Sequence, residues 1–256
     1  DSEMTDYYNI NGRCGMRGYI GWFMLFLNNK IFRIGRLQFE IHCFQEKLRV
    51  YAKDGDIKIL VDGEYMHPKG MIFGSVMQDD ESEKYFADIT EDGDKIIGYA
   101  VNEFGECIPH RITLEGYKEV LKQGDYVIST HVTSDGPLDY ELCERAYKEA
   151  KCFFETAYSE YDFKAFVCFS WLMDKRLKQV IGKVTNITRF SDEYYSCPLV
   201  SQGAGVYFSV FHFPAPVSAD KLQEDTSLQK KLKEYLGNGN IIYEKCGIRL
   251  IKNAIK

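Results

Sequence analysis

The sequence lacks both a long uncharged apolar run and a strongly basic segment. Its best apolar candidate, residues 19–27, is about half of the ~20 residues that a membrane-spanning helix needs. The formal net charge is −6 with both signs interspersed, so the cationic surface that binds nucleic acid or anionic lipid is missing. No signal-peptide pattern is recognisable. These absences predict a cytoplasmic protein that binds neither nucleic acid nor membrane.

The cysteines lack the spacing of a metal site. None forms a CxxC pair, and none lies near a histidine at the spacing of zinc ligands. Several fall within apolar runs, which is typical of reduced, buried thiols in a cytoplasmic protein. The sequence therefore predicts no bound metal ion. The eight cysteines are Cys14, Cys43, Cys107, Cys143, Cys152, Cys168, Cys197 and Cys246.

What the chain does have is enough apolar material for a large core. Of its 256 residues, 45% are hydrophobic and 14% are aromatic, which suits one large domain or two small ones. The first half has mostly strand patterns, and the second half alternates helices and strands. We predict an α/β fold with a mixed α+β sheet over residues 18–256, in two arms at 18–115 and 116–256. Residues 1–17 are polar and glycine-bearing and are predicted to be a linker or tail.

Several local patterns predict particular elements. Strand-like residues at 19–27 and 31–44 are joined by Asn28, Asn29 and Lys30, and asparagine tolerates the left-handed backbone of a hairpin turn. The sequence thus predicts a first hairpin with its turn at these three residues. Further predictions are a short helix at 113–122 and strands at 186–194 and 206–212.

Residues 126–174 have the pattern of a βαβ unit. Residues 126–132 are strand-like, and a glycine-containing loop separates them from an amphipathic helix with apolar residues at spacings of three and four. A nearly continuous apolar run from Phe166 to Leu172 predicts a second strand, parallel to the first and covered on both faces. His131 lies where the first strand ends, which is a common ligand-binding place in α/β proteins.

The strand predicted at 31–44 carries a row of polar side chains. Alternation places Arg36, Gln38, Glu40 and His42 on one face, about 7 Å from one to the next. A carboxylate near an imidazole is suited to general base chemistry. The alternative is an ordinary solvent-exposed face of an antiparallel sheet, with no catalytic role.

The loop after His131 consists of small and turn-forming residues and leads into a helix. Backbone N–H groups at such a helix start, together with the helix dipole, can hold a phosphate group. The alternative is that Asp139 caps the helix and that Gly136 and Pro137 only form a turn. A hydrolase is a weaker hypothesis, because Thr130 and His131 face opposite sides of a strand and no GxSxG elbow is present.

Several segments together resemble one family. They are the hairpin segment at 17–44, the segment beginning THVTSDGPLDY at 130–154, FVCFSWLMD at 166–174, NITRF at 186–190 and EDTSLQKKLKEYL at 224–236. The chain is similar to bacterial acyltransferase-domain proteins in which a small N-acyltransferase domain precedes a GNAT-like C-terminal domain. The resemblance covers most of the chain, and the hairpin and the segment 131–138 are its most specific parts.

The resemblance implies a GNAT-type sheet that splays open in the middle and binds acyl-CoA in the split. The implied activity is an acyl-CoA-dependent N-acyltransferase, with acetyl-CoA or another acyl-CoA as co-substrate and a small-molecule amine as acceptor. Residues 1–17 then lead from a preceding N-acyltransferase domain, which is a further expected partner. The implied base is Glu40 or His42, with His131 as an alternative. The implied contacts to the co-substrate are Thr130, Val132, Ser134, Gly136 and Ser170.

The loop that follows the first strand of the βαβ unit departs from the usual GNAT pattern. GNAT enzymes carry Q/R-x-x-G-x-G/A at this loop, whereas this chain carries TSDGPLDY. The alternative function is therefore a non-catalytic GNAT-like module that binds a small molecule or a partner.

Overall fold

The computed structural model describes residues 5, 8, 9, 12–15, 20–75 and 83–251, so most of the predicted tail at 1–17 lies outside the described residues. The strands are β1 (Ile31–Ile34), β2 (Leu37–Cys43), β3 (Leu48–Lys53), β4 (Asp56–Val61), β5 (Glu64–Met66), β6 (Tyr85–Ala87), β7 (Thr90–Asp92), β8 (Lys95–Val101), β9 (Cys107–Glu115), β10 (Lys118–Leu121), β11 (Tyr126–Val132), β12 (Ala165–Ser170), β13 (Tyr195–Cys197) and β14 (Lys245–Leu250). The helices are α1 (Ile20–Leu27), α2 (Tyr140–Ala157), α3 (Leu177–Ile181), α4 (Asn186–Asp192), α5 (Gly205–Phe211) and α6 (Ser227–Gly237), with one-turn 3₁₀ helices at Trp171–Met173 and Ala219–Lys221.

A six-stranded central sheet has the order β1-β2-β11-β12-β14-β13. Strands β11 and β12 are parallel, and α2 connects them across one face of the sheet, so the predicted βαβ unit is confirmed. The carboxylate of Asp139 accepts a hydrogen bond from the Leu142 N–H at 2.9 Å, which caps α2 as predicted. The buried side chains of α2 are Cys143, Ala146, Tyr147, Ala150 and Phe154.

A second sheet, with the order β10-β3-β4-β8-β7 and β9 paired to β8, packs on the opposite face of the central sheet. The shared core contains Val127, Val167 and Ile248 from the central sheet with Val50 and Val61 from the second, each no more than 1% exposed. Burial decreases toward one end of the central sheet, since the last two residues of β11 and of β12 are only partly buried. His131 lies at this end and Glu40 beside it, opposite Ser129, whereas His42 lies opposite Val127, closer to the buried middle of the sheet.

The prediction of a first strand at 19–27 is wrong. The described residues of this segment form the helix α1. The helix ends in a Schellman arrangement. Asn29 is left-handed with a φ of 53°, and the Lys30 N–H donates to the Leu25 carbonyl at 2.8 Å. The asparagine that indicated a hairpin turn therefore terminates a helix instead.

The hairpin turn lies at Gly35 and Arg36, between β1 and β2. Gly35 has a φ of 56°, as the first residue of a two-residue hairpin turn often requires. A Cβ at this position would also lie 3.3 Å from the Cβ of Ala146 in α2. The single strand predicted at 31–44 is therefore two strands. Arg36 lies in the turn between them, so it does not share a face of the strand with Gln38, Glu40 and His42 as predicted.

The helix predicted at 113–122 is also wrong. These residues form the end of β9 and the strand β10, which are joined through Gly116 with a φ of 72°. The amine of Lys53 donates to the Glu115 carbonyl at 2.9 Å beside this turn. A left-handed glycine therefore produces a reversal between strands where the sequence pattern indicated a helix.

The strands predicted at 186–194 and 206–212 are wrong, because most of these residues form the helices α4 and α5. Thr185 starts α4 with a capping box. The carboxylate of Glu244 accepts the Gly205 N–H at the start of α5. These hydrogen bonds outweigh the strand preference of the aromatic and β-branched residues in both segments.

Replacing Gly35 by alanine is expected to lower the free energy of unfolding by about 1–2 kcal/mol, the usual cost of a left-handed backbone for a residue with a Cβ. Gly136→Ala is the matched control, since its φ is not left-handed and nothing lies within 4 Å of its added Cβ. Urea unfolding of both variants measures the difference. Equal losses of stability would contradict the role assigned to Gly35.

Candidate active site

The central sheet separates between β11 and β12. β11 pairs with β2 along seven residues, and β12 pairs with β14 along six. In contrast, β11 and β12 share only two pairs, Ile128 with Phe166 and Ser129 with Val167. Beyond these pairs the two strands share no ladder pairing, and the name cleft is used for this unpaired opening between their carboxyl ends.

Three polar side chains meet on one face of the sheet beside this cleft. Ser129 lies directly opposite Glu40 in the antiparallel pairing of β11 with β2. The Nε2 atom of His131 lies 3.4 Å from a carboxylate oxygen of Glu40 and 3.3 Å from the Ser129 hydroxyl. The ring of Trp22, from α1, meets the His131 ring edge-on with 4.6 Å between centroids. The side chains of His131 and Glu40 are 26% and 22% exposed, so both are partly accessible to solvent.

His42 lies on the same face, one alternation further along β2 than Glu40, with its ring centroid 5.7 Å from that of Phe169 in β12. Burial lowers the pKa of His42 below its ordinary value of 6.5, the Glu40 carboxylate raises it, and His131 lowers it. The net shift is downward. The imidazole is therefore neutral at pH 7 and is able to accept a proton.

The loop after β11 is built around Arg36 from the hairpin turn. The guanidinium Nε donates to the Pro137 carbonyl at 2.7 Å, and Nη1 donates to the Thr133 hydroxyl at 2.7 Å. Nη2 donates to the carbonyls of Thr133 at 2.9 Å and Gly136 at 2.5 Å. Only 7% of the Arg36 side chain is exposed, so it forms the floor of the loop.

The two aspartates of the loop are both engaged. Asp139 caps α2, and a carboxylate oxygen of Asp135 lies 2.9 Å from Nη1 of Arg33. Hydrogen bonds from the Thr133 hydroxyl and from Arg33 hold the pKa of Asp135 below its usual range. Asp135 is therefore paired with the arginines of the hairpin.

The structure brings the predicted base candidates Glu40, His42 and His131 together on one face. The predicted co-substrate contacts are distributed differently. Thr130 is 2% exposed and faces the α2 side of the sheet, away from Glu40 and His131. The Ser170 hydroxyl accepts the Leu172 N–H at 3.2 Å and caps the following 3₁₀ turn. Of the others, Val132 ends β11, and Ser134 and Gly136 lie in the exposed loop.

Several residues lie at the site although the sequence did not predict them as catalytic or co-substrate-binding residues. Ser129 was detectable in principle, because alternation places it two residues from His131 on one face. Trp22 and Phe169 meet the two histidines only through tertiary packing. Arg36 was expected beside Glu40, and no local signal indicates that it reaches a loop about a hundred residues away.

A mixed sheet that opens between two parallel strands, with a helix-leading loop at the split, defines the GNAT-like acyltransferase fold, as predicted. A family description of the GNAT-like C-terminal domain matches residues 31–249, and the chain belongs to this family. A search of curated proteins finds no match.

Solved acyltransferase structures share the fold. One, in complex with decanoyl-CoA and teicoplanin, is 15% identical with a TM-score of 0.57 and is matched over 97% of this chain. A mutant acyltransferase with octanoyl-CoA (14% identity, 98% of this chain) and an acyltransferase with CoA and 10C-teicoplanin (14%, 97%) also have TM-scores of 0.57. The chain spans 55% of the length of each of these neighbours.

The described residues offer neither a metal site nor a membrane-spanning helix. They contain no group of three or more His, Cys, Asp or Glu side chains placed to hold a metal ion. None of their helices has the length and the apolar character to cross a membrane.

The electrostatic coupling around His42 is testable without any ligand. Glu40→Gln is expected to lower the pKa of His42 further, because the carboxylate raises it, whereas His131→Asn is expected to raise it. NMR titration of the His42 ring protons measures both shifts. Glu64→Gln, on β5, is the control and is expected to leave the His42 titration unchanged. If neither variant shifts the His42 titration, or if each shifts it in the direction opposite to the one expected, the three side chains do not share a site.

Proposed function

We propose that this chain is an acyl-CoA-dependent N-acyltransferase, which moves an acyl group from CoA to the nitrogen of a small amine. The observation that carries the proposal is the split between β11 and β12 with Glu40, His42 and His131 beside it. The split accommodates the pantetheine arm and brings the thioester to this polar face. Membership of the GNAT-like family supports acyl-CoA as the donor.

His42 is the base in this proposal. Its neutral imidazole accepts a proton from the amine, directly or through a water molecule, as the nitrogen attacks the thioester carbonyl. A backbone N–H at the free edge of β11 stabilises the oxyanion of the tetrahedral intermediate. The attack forms the C–N bond, and collapse of the tetrahedral intermediate re-forms the C=O bond, breaks the C–S bond and releases CoA as the thiolate, which takes up a proton.

Glu40 and His131 support this base. The Glu40 carboxylate stabilises the imidazolium that forms on His42 and also contacts His131 at 3.4 Å. His131 shares its Nε2 between Glu40 and Ser129, which suits it to hold the carboxylate in place. It remains the alternative base if the amine enters from the side of Trp22.

His42→Gln is expected to slow the release of CoA thiol in the presence of primary amines by about 10²–10⁴-fold, the usual contribution of a general base. Acyl-CoA affinity is expected to stay unchanged, because His42 acts on the acceptor. A thiol-trapping assay with a panel of amines, together with calorimetry, measures both. The control is His110→Gln, a change to an exposed histidine on β9. If the His42→Gln variant turns over at the wild-type rate, His42 is not the general base.

The donor in this proposal carries a medium-length acyl chain. All eight residues of α1, IGWFMLFL, are glycine or apolar, and none is buried. Phe23, Met24 and Leu27 are 49%, 46% and 59% exposed, and Trp22 joins the helix to His131. Such a patch beside a reaction centre suits an aliphatic chain. The presence of decanoyl-CoA and octanoyl-CoA in the neighbouring structures supports the same donor class.

Acyl-CoA affinity is therefore expected to increase from acetyl-CoA to octanoyl-CoA to decanoyl-CoA, by at most about 0.8 kcal/mol per buried methylene. Phe23→Ser is expected to weaken decanoyl-CoA binding several-fold and to leave acetyl-CoA binding unchanged. Phe86→Ser is the matched control, since Phe86 is 47% exposed but lies on β6. Calorimetry with the three donors measures the series. Affinities independent of chain length would contradict the medium-chain donor and leave acyl transfer itself in place.

The second candidate is a non-catalytic GNAT-like module. The observation that favours it is the sequence TSDGPLDY at the loop, which lacks the glycine pattern of GNAT enzymes. This candidate predicts acyl-CoA binding without thiol release for every amine in the panel. The assay used for His42→Gln therefore also distinguishes the two candidates.

A further inference from the structure

A large cavity lies at the β13 edge of the central sheet, away from the β11–β12 cleft. Its volume is about 680 Å³, and it is bounded by β4, the turn after β8, the region of α3 and β13. In the central sheet, β14 separates β13 from β12. The described residues that line the cavity come from none of the strands that carry Glu40, His42 and His131. The cavity is therefore separate from the candidate active site.

One wall of the cavity is the turn between β8 and β9, which buried contacts hold in place. Oδ1 of Asn102 accepts the Phe104 N–H at 2.9 Å. Lys245 is fully buried, and its Nζ donates to the Gly105 carbonyl at 2.9 Å. A Cβ on Gly105 would lie 2.9 Å from the backbone carbonyl carbon of Ser196, so the turn packs directly on β13. This wall is preorganised, and a ligand does not have to order it.

Two lysines at the cavity share a single carboxylate. Nζ of Lys178 lies 2.6 Å from Oδ1 of Asp192, and Nζ of Lys175 lies 3.7 Å from the same oxygen. Lys175 also donates to the carbonyl of Ser191 and, at 3.2 Å, to its hydroxyl. Only 12% of the Lys175 side chain is exposed, and burial lowers its pKa to about 8. Its ammonium group is therefore charged at pH 7 but only partly compensated.

The remaining charges of the lining leave the cavity positive. Lys183 adds a third amine, and Glu103 adds a second carboxylate. Three ammonium groups against two carboxylates give an excess of one positive charge, although the whole chain has a formal net charge of −6. A cavity with this excess attracts a monoanion more than a neutral molecule or a cation.

Other parts of the lining are apolar. Ile57 and Ile59 come from β4, Val101 ends β8, and Phe104 lies in the turn that follows it. Apolar walls with a few polar groups that fix orientation are typical of sites for small molecules. The lining thus suits a molecule with an apolar body and one anionic group.

We propose that this cavity binds a small organic carboxylate, with the carboxylate group against Lys175 and Lys178 and the apolar body against the isoleucines of β4. The ligand supplies the second negative charge for two ammonium groups that share only Asp192. Its binding is independent of acyl transfer, because the cavity and the β11–β12 cleft have no strand in common.

Calorimetry on the 256-residue chain tests the site with phenylpropionate and with phenylpropanamide, which has the same body without the charge. The carboxylate is expected to bind at least about tenfold more tightly than the amide, because charged hydrogen bonds are the stronger ones. Lys178→Gln is expected to weaken phenylpropionate about fivefold and to change phenylpropanamide less than about twofold. Lys148→Gln, at an exposed lysine on α2, is the matched control and is expected to leave both affinities unchanged.

Asp192→Asn is a second variant with an effect in the opposite direction. It removes the carboxylate that competes for both ammonium groups, so it is expected to strengthen phenylpropionate binding several-fold, which a loss of folded structure is unable to produce. Both variants are expected to bind octanoyl-CoA as the wild type does. Absence of phenylpropionate binding, equal affinities for the acid and the amide, or weaker binding by Asp192→Asn overturns the site and leaves the acyltransferase proposal standing.

Discussion

The pairing of β2 with β11 is the constraint on which the rest of the site depends. Its register sets Glu40 opposite Ser129 and Gln38 opposite His131. Because side chains alternate along a strand, a slip of one residue would turn the carboxylate toward α2 and Phe39 toward the cleft. Phe39 is fully buried in the core beneath α2, which makes such a slip costly. Hydrophobic packing on one face of the sheet therefore determines the chemistry on the other.

The cleft lies where the burial of β11 and β12 decreases. The last residues of β11 and β12 are partly exposed, and the pairing between the two strands ends close to that point. Unpaired backbone groups are costly when buried and inexpensive where water or a ligand reaches them. An open ladder is thus compatible with the fold at this end of the sheet. Glu40 and His131 lie near this end with about a quarter of each side chain exposed, so their polar groups stay accessible.

The βαβ unit was predictable because an amphipathic helix between two apolar strands combines two clear periodicities in one segment. The helix α5 was not, since its aromatic and β-branched sequence is strand-like and its start depends on Glu244, 39 residues further on. Alternation along β2 placed Glu40 and His42 on one face. The pairing of β2 with β11 brings His131 beside them, and the hairpin turn brings Arg36 under the loop. Both contacts join distant parts of the chain, so no local sequence pattern indicates them.

Arg36 and the loop that it supports are 97 to 101 positions apart along the chain. The hydrogen bonds of Arg36 to the loop therefore exist only when the first hairpin is docked against the βαβ unit. A loop shaped by its own glycines leaves a local signature, whereas a loop braced from a distant turn leaves none. Because three of the four hydrogen bonds end on backbone carbonyls, most side chains of the loop could be replaced without removing them, whereas loss of Arg36 would remove all four.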